Sequence, residues 1–338
     1  MSMPTMMRAL QIDKPGDPAG FVLRDVPVPV PGDGQALIKV AYVGMNPIDA
    51  MARSGKINFF PITWPFTPGL EKTGVVAAVG AGVDKSLIGT RVIARSGFGG
   101  YAEYALNEAN TLLKLDDRID LKTGCVYRGA SFTAWHALYK AGRLQKNETV
   151  LIHSAAGAVG IMAIQIAKDA GCTVIGLCAG ESKVAYAKSF GADHVFDYLQ
   201  SAWPDHVKAI APKGVDVILD GNGGPNAEKN VDLTAPMGRI VYIGATAGTY
   251  PAPVPIPTLI FKNISIAGMN LAPIEEGPGS AADRAIIDAV ALKRWRVPLS
   301  ETVTLANVAD LHARLEARHV MGRAVIEVGG LEVDGHIA

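Results

Sequence analysis

The stretch Ser154-Ala155-Ala156-Gly157-Ala158-Val159-Gly160 constrains this chain more than any other. It follows the apolar run Val150–His153 and opens the weakly charged, apolar run Gly157–Ala170, so it reads as a strand–turn–helix junction. The spacing is that of G-x-G-x-x-G, with serine, or alanine one place on, standing at the first glycine. Small residues let the backbone approach a pyrophosphate, whose charge is met by N–H groups and by the dipole at the helix start. Gly160, at the third position, lets the helix pack closely on its sheet. A junction that needs small residues for packing alone has the same composition, so the surrounding pattern decides between the two.

That pattern is a repeated alternation. Thr173–Cys178 reads as a second strand, Glu181–Phe190 as a helix ending at Gly191, and His194–Asp197 as a third strand. A helix near Pro204–Ile210 follows, then strands at Val215–Leu219, Arg239–Ile243 and Ile264–Ala267. Short apolar strands alternating with helices imply crossovers and a parallel sheet covered on both faces, a doubly wound α/β fold. At its head, the glycine loop is expected to hold a dinucleotide.

The first part of the chain reads differently. Gln35–Tyr42, Gly74–Val79, Arg91–Ala94 and Ala102–Ala105 are short strand-forming runs set off by Gly and Pro. Thr123–Ala141 turns helical and is expected to bridge two domains. Late in the chain come helices at Asp283–Trp295 and Ala306–Ala317 and a closing strand at Ala324–Val328. A Pro-rich stretch, Pro251–Pro257, is the one compositional oddity.

Composition excludes several classes. Of 338 residues 49% are apolar, enough for large cores and too many for global disorder. Lys plus Arg and Asp plus Glu both total 32, giving no electrostatic reason to expect nucleic acid or an anionic membrane. No run is long and apolar enough to span a bilayer, and Met1–Leu10 lacks the two regions of a secretion signal, so a cytoplasmic location is expected. Cys125, Cys172 and Cys178 form no C-x-x-C pair and read as small buried hydrophobes.

The end of the second strand bears on cofactor choice. An NAD site wants a carboxylate there for the ribose hydroxyls. Leu177-Cys178-Ala179-Gly180 carries none; Glu181 opens the next helix, where an acid also suits the dipole. Lys183 lies in reach of a 2′-phosphate, or is a solvated helix lysine.

Several further blocks fall in a recognisable order. Gly44-Met45-Asn46-Pro47-Ile48-Asp49 precedes Arg53-Ser54-Gly55, and Pro68-Gly69-Leu70-Glu71 precedes Gly74-Val75-Val76. Gly100-Tyr101-Ala102-Glu103-Tyr104, Phe132-Thr133-Ala134-Trp135 and Gly191-Ala192-Asp193-His194-Val195 follow. With the glycine loop, these resemble the medium-chain dehydrogenase/reductases of the zinc-independent quinone oxidoreductase (zeta-crystallin-like) type. The resemblance implies a GroES-like β-barrel catalytic domain from 1–125 and 275–338, a Rossmann domain at 126–274, and an active site in the cleft. It implies NADPH as cofactor, with Gly157, Ala158, Val159 and Gly160 at the pyrophosphate, Lys183 and Tyr198 beside the adenosine phosphate, and Asn222 at the adenine-side ribose. Gly244, Ala245 and Thr246, then Met269, Asn270 and Leu271, are implied at the nicotinamide side, which Thr133 also faces. A homodimer is implied, built on the edge strand near Ile264–Ala267.

Zinc-dependent relatives place a cysteine where this chain has Asn46 and a histidine where it has Leu70, so no catalytic metal is expected. Without that Lewis acid, an activated C=C or a quinone is an easier hydride acceptor than a simple ketone. Asn46 is the candidate side-chain donor to the developing oxyanion; a structural turn role is its alternative. Met51 stands where many relatives have a tyrosine, which removes one proton donor. Asp49 and Glu71 read as ties within the barrel, and Trp64 and Phe66 as either a pocket wall or a core patch. The expected function is NADPH-dependent reduction of a quinone or α,β-unsaturated carbonyl. A zinc-free alcohol dehydrogenase and a non-catalytic NADPH-binding protein are the alternatives.

Overall fold

Six strands, all parallel, form the sheet that the alternating pattern anticipates. In chain order they are Thr149–His153, Thr173–Cys178, His194–Asp197, Val215–Asp220, Thr234–Tyr242 and Ser265–Gly268. Numbered in that order, they lie side by side as 3-2-1-4-5-6, the Rossmann arrangement. The helix Ala158–Asp169 is buried without interruption from Gly160 to Ala167, as a helix enclosed on all sides must be. The protein is described by a computed structural model that covers residues 3–57, 61–246, 255–271, 273–274 and 276–329. Positions 251–254, the larger part of the Pro-rich stretch, lie outside the described residues.

The other sheet has seven strands. Gln35–Gly44 and Glu71–Val79 pair antiparallel at its centre. Arg323–Glu327 returns from the far end of the chain to pair antiparallel with Gln35–Gly44, and Leu299–Thr304 lies parallel beside it. This is the GroES-like part. A separate hairpin, Met6–Gln11 with Val22–Pro27, has no counterpart in the sequence reading. Leu299–Thr304 was equally invisible, because this edge strand buries none of its six side chains and so shows no apolar alternation. The expected strand Ala102–Ala105 shifts to Tyr104–Glu108: Ala102 makes only an isolated bridge to Ala9, and the continuous ladder to Gln35–Lys39 begins at Tyr104.

Two compact units result, Met1–Arg128 with Leu299–Ala338, and Gly129–Pro298. The division falls inside the bridging helix Leu121–His136, close to the expected boundary. The second boundary is at Leu299 and not near residue 275. The turn after the helix Ala281–Ala291 is bound to the helix Ala158–Asp169 by hydrogen bonds. Gln165 exchanges two of them with the Arg296 backbone, at 2.7 and 3.0 Å, and the Trp295 indole donates to Asp169 at 2.8 Å.

The first unit encloses a polar pair in its core. His312 and Tyr101 are fully buried, with Nε2 3.0 Å from the phenol oxygen, and Tyr101 donates in turn to the Met45 sulfur at 3.0 Å. Phe21 meets the imidazole edge-on at 5.1 Å. Since the phenol proton goes to Met45, His312 donates through Nε2, and Nδ1 is a bare acceptor with no partner among the described residues. Burial, assisted by the Arg53 charge, holds this imidazole down at about 3 against an ordinary 6.5. Below pH 6.5 the unfolded chain therefore binds a proton that the native state refuses. The contribution of neutral His312 is complete above that pH and is lost as pH falls toward 3, at a limiting slope of about 1.4 kcal/mol per pH unit. A His312→Leu variant is expected to lose stability less steeply than the native protein between about pH 6 and pH 4.5 in urea titrations. Parallel curves would show that the histidine does not titrate on unfolding.

Candidate functional site

Parallel strands share one direction, so their carboxyl ends lie along one edge of the sheet. Every residue implied for the cofactor is in the second unit, and all but Thr133 fall in the segments leaving those six ends. Gly157–Gly160 follow the first strand, Lys183 the second, Tyr198 the third, Asn222 the fourth, Gly244–Thr246 the fifth and Met269–Leu271 the sixth. The fold thus gathers residues that are more than a hundred positions apart in the chain.

The glycine loop turns at Ser154, which has φ 52°, the left-handed conformation that the motif's usual first glycine adopts at no steric cost. Gly157 caps the helix that begins at Ala158 and has no side chain with which to satisfy it, and the first turn carries no acid. A helix leaves its first N–H groups without intrahelical acceptors, here including those of Ala158, Val159 and Gly160. Uncapped donors and a dipole at a bare glycine suit a pyrophosphate. Gly160 is there for contact: a Cβ would lie 2.8 Å from the Ala155 Cα and collide with the Ser154 carbonyl oxygen.

Beyond the second strand, Gly180 (φ 82°) caps the helix Glu181–Lys188, with Glu181 exposed in its first turn and Lys183 half-buried. The Tyr198 amide donates to the Cys178 carbonyl at 3.0 Å, which draws the ends of the second and third strands together. Burial pushes the Cys178 thiol up to about 12, with Asp197 adding to the effect and Lys183 opposing it. Asn222 is buried, donates to the Gly223 carbonyl at 3.3 Å and accepts from the Thr246 hydroxyl at 3.2 Å, tying the fourth and fifth loops together. Met269 and Leu271 are buried and Asn270 is exposed. Thr133 donates within its own helix, to Gly129 at 2.7 Å.

Asn46 belongs to the first unit, where it caps the short helix Pro47–Arg53. Its amide nitrogen lies 3.2 Å from the Gly44 carbonyl and 3.4 Å from a Glu71 oxygen, both long for hydrogen bonds. Asp49, three residues on, accepts backbone N–H bonds from Asn46, Gly69 and Leu70, each at 3.0 Å. Those three bonds make it a tie between two loops, and burial raises this carboxyl to about 6 against the pull of the donors. Glu71 is bonded by the buried Arg323 guanidinium and faces Arg95 at 3.6 Å. Arg323 also donates to the carbonyls of Gly44, Met45 and Val126. Lys72 is buried too, donates to the Gly97 carbonyl at 2.9 Å, and is lowered to about 7 by desolvation. Arg323 escaped the sequence reading because 252 residues separate it from Glu71. Phe66 is a core residue between Trp64 and Phe98, at ring distances of 5.5 and 5.0 Å, and Trp64 is partly buried beside it.

Comparison with known proteins agrees with this architecture. Residues 32–117 match the alcohol dehydrogenase GroES-like domain and residues 158–284 the zinc-binding dehydrogenase family. The quinone oxidoreductase of Sus scrofa is 36% identical over 269 residues, 79% of this chain and 80% of that protein. The chain is a medium-chain dehydrogenase/reductase of the quinone oxidoreductase type. Among solved structures, a mycobacterial quinone oxidoreductase superposes with TM-score 0.84 at 30% identity, covering 95% of this chain and 99% of that one. The Escherichia coli quinone oxidoreductase complexed with NADPH gives 0.86 at 25% identity, with 95% and 99% covered. For this medium-chain oxidoreductase the glycine loop supplies a direct test. Gly160→Ala sets a methyl group against backbone that cannot yield, and is expected to cost about 1–3 kcal/mol and to weaken dinucleotide binding. Gly180→Ala meets no atom within 4 Å and carries only its φ strain, about 1 kcal/mol. Urea denaturation of the two variants checks both losses; a Gly160→Ala variant as stable as the native protein would mean that close packing at Gly160 contributes nothing.

Proposed function

We propose that this medium-chain dehydrogenase/reductase uses NADPH to reduce a quinone or an α,β-unsaturated carbonyl, without zinc. The observation that supports this most is the uncapped start of the helix Ala158–Asp169 at the carboxyl edge of the sheet, with no acid on Leu177–Gly180 and Lys183 just beyond. When bound, the dinucleotide supplies the hydride. The chain holds it: the N–H groups of Ala158–Gly160 take the pyrophosphate, Lys183 and Tyr198 the adenosine phosphate, and Asn222 the ribose. Gly244–Thr246, Met269–Leu271 and Thr133 serve the nicotinamide side. The positions that hold cysteine and histidine in zinc-dependent relatives carry Asn46 and Leu70, and Glu71 is engaged by two arginines. The purified protein, kept in chelator, is expected to consume NADPH on addition of 9,10-phenanthrenequinone or an enone. Lys183→Ala should weaken NADPH by roughly ten- to a hundredfold and leave NADH nearly unchanged, since a charge-assisted pair contributes about 1.5–3 kcal/mol. Equal affinity of the native protein for the two cofactors would shift the assignment to Glu181 and NADH.

Asn46 is proposed as the donor that stabilises negative charge developing on the acceptor oxygen, the long bonds to Gly44 and Glu71 leaving its amide protons only weakly engaged. No side chain is proposed as an obligatory acid, because Met51 has no proton to give and solvent can complete the reaction. Asn46→Ala should lower turnover by about a hundredfold while NADPH affinity holds. Unchanged turnover would leave Asn46 as the helix cap alone.

A homodimer is proposed through the free edge of Ser265–Gly268, which among the described residues pairs on one side only. Ile266 on that strand is 36% exposed, and Ile260 and Phe261 on the preceding helix are 67% and 87% exposed, an apolar surface that a second copy would cover. Light scattering at micromolar concentration should give twice the chain mass, and a monomer would contradict the proposal.

A further inference from the structure

Beneath the carboxyl edge of the Rossmann sheet runs a chain of buried polar side chains bonded directly to one another. Asn230, fully buried, is its hub. Its amide nitrogen donates to Asp220 Oδ2 at 2.8 Å and lies 3.5 Å from the Tyr242 hydroxyl. Its amide oxygen is 2.8 Å from His153 Nε2. A carboxylate only accepts, so the amide nitrogen must face Asp220 and the oxygen must face His153, which makes Nε2 the protonated nitrogen of that ring. Asp220, also fully buried, spends its other oxygen on the backbone N–H groups of Asn222 and Gly223, at 2.8 and 2.9 Å.

The positions of these residues give the chain its meaning. His153 is the last residue of the first strand, immediately before the turn at Ser154; Asp220 ends the fourth strand and Tyr242 the fifth. The first and fourth strands are neighbours in the sheet although the chain leaves them in opposite directions, and the crevice between such strands is where a doubly wound sheet takes its ligand. One asparagine thus fastens the strand end that launches the glycine loop to the loop that carries Asn222, and Thr246 joins it by donating to Asn222. Apolar residues of the same volume often fill such a space without loss of stability, whereas hydrogen bonds fix distances and orientations.

We propose that His153, Asn230 and Asp220 are positioning residues for the dinucleotide. They hold Ser154–Gly160 and Gly221–Gly224 in the mutual geometry that the pyrophosphate and the ribose require. Their contribution lies in cofactor affinity and not in the hydride step. This deepens the NADPH reading above and rests on it.

The test is NADPH titration by fluorescence, alongside steady-state kinetics and melting of the cofactor-free protein. His153→Leu removes the donor to Asn230 and is expected to raise the NADPH Kd by about tenfold or more, with kcat at saturating NADPH within about twofold. His153→Gln, whose amide can still donate to Asn230, should stay within about threefold of native. Asp220→Asn turns one amide against another and carries the same expectation as His153→Leu, which keeps the test open if His153→Leu does not fold. Native-like affinity in His153→Leu or Asp220→Asn, with only the melting temperature lowered, would overturn the proposal. So would equal weakening in His153→Gln and His153→Leu. Failure of the native protein to bind NADPH would sink the cofactor reading instead.

Discussion

Everything at the cofactor edge depends on how closely one helix approaches two strands. Ala155 sits between Gly160 on the helix and Gly176 on the second strand, and a Cβ on either glycine would come within 2.8 Å of it. That approach lets the chain turn from strand to helix in the few residues after His153 and leaves the helix start bare of side chains. A larger residue at either position would push the helix outward and move the helix start at Ala158. Two glycines packed against one alanine therefore set the geometry of the helix start, on which the proposed pyrophosphate site relies.

The parallel sheet was legible because its signals are local. Thr173–Cys178 runs as expected, since a strand buried on both faces is a continuous apolar run ended by a turn residue, and the short edge strand His194–Asp197 is set off by the turn at Gly191. The barrel was less legible because its strands have one wet face and irregular ends. Leu299–Thr304 has no buried position to betray it, and the hairpin Met6–Gln11 with Val22–Pro27 buries only one of its two strands. The second domain boundary was misplaced for a related reason: Gln165, Asp169, Trp295 and Arg296 look like ordinary helix and turn residues until the fold brings them together. The site divides in the same way. The glycine loop could be read from its spacing, whereas the partnership of Glu71 with Arg323 joins the two ends of the chain and leaves no trace in either neighbourhood.

Charge is managed differently in the two units. In the first, Asp49, Glu71, Lys72, Arg53 and Arg323 are all buried, yet each is turned toward backbone or toward an opposite charge. Burying an ion costs several kcal/mol unless its partners are supplied, and here they are supplied from loops distant in sequence. These groups are consequently fasteners. Glu71 holds Arg323, Arg323 holds the carbonyls of Gly44 and Met45, and Asp49 holds Gly69 and Leu70. The segment around Asn46 is gripped from both sides.

In the second unit the groups that face the ligand edge are for the most part neutral. Backbone N–H groups, an amide and a hydroxyl line the segments that leave the strands, and the buried carboxylate of Asp220 lies behind them with its oxygens taken up by three N–H donors. Neutral dipoles fixed by the fold need not reorganise when charge arrives or departs, which is the condition for stabilising a charge at little cost. A first unit that spends its ions on holding loops, and a second that offers preset dipoles, fit a nicotinamide-dependent oxidoreductase. The two sets of buried polar groups have one effect in common, which is to fix the loops that carry them.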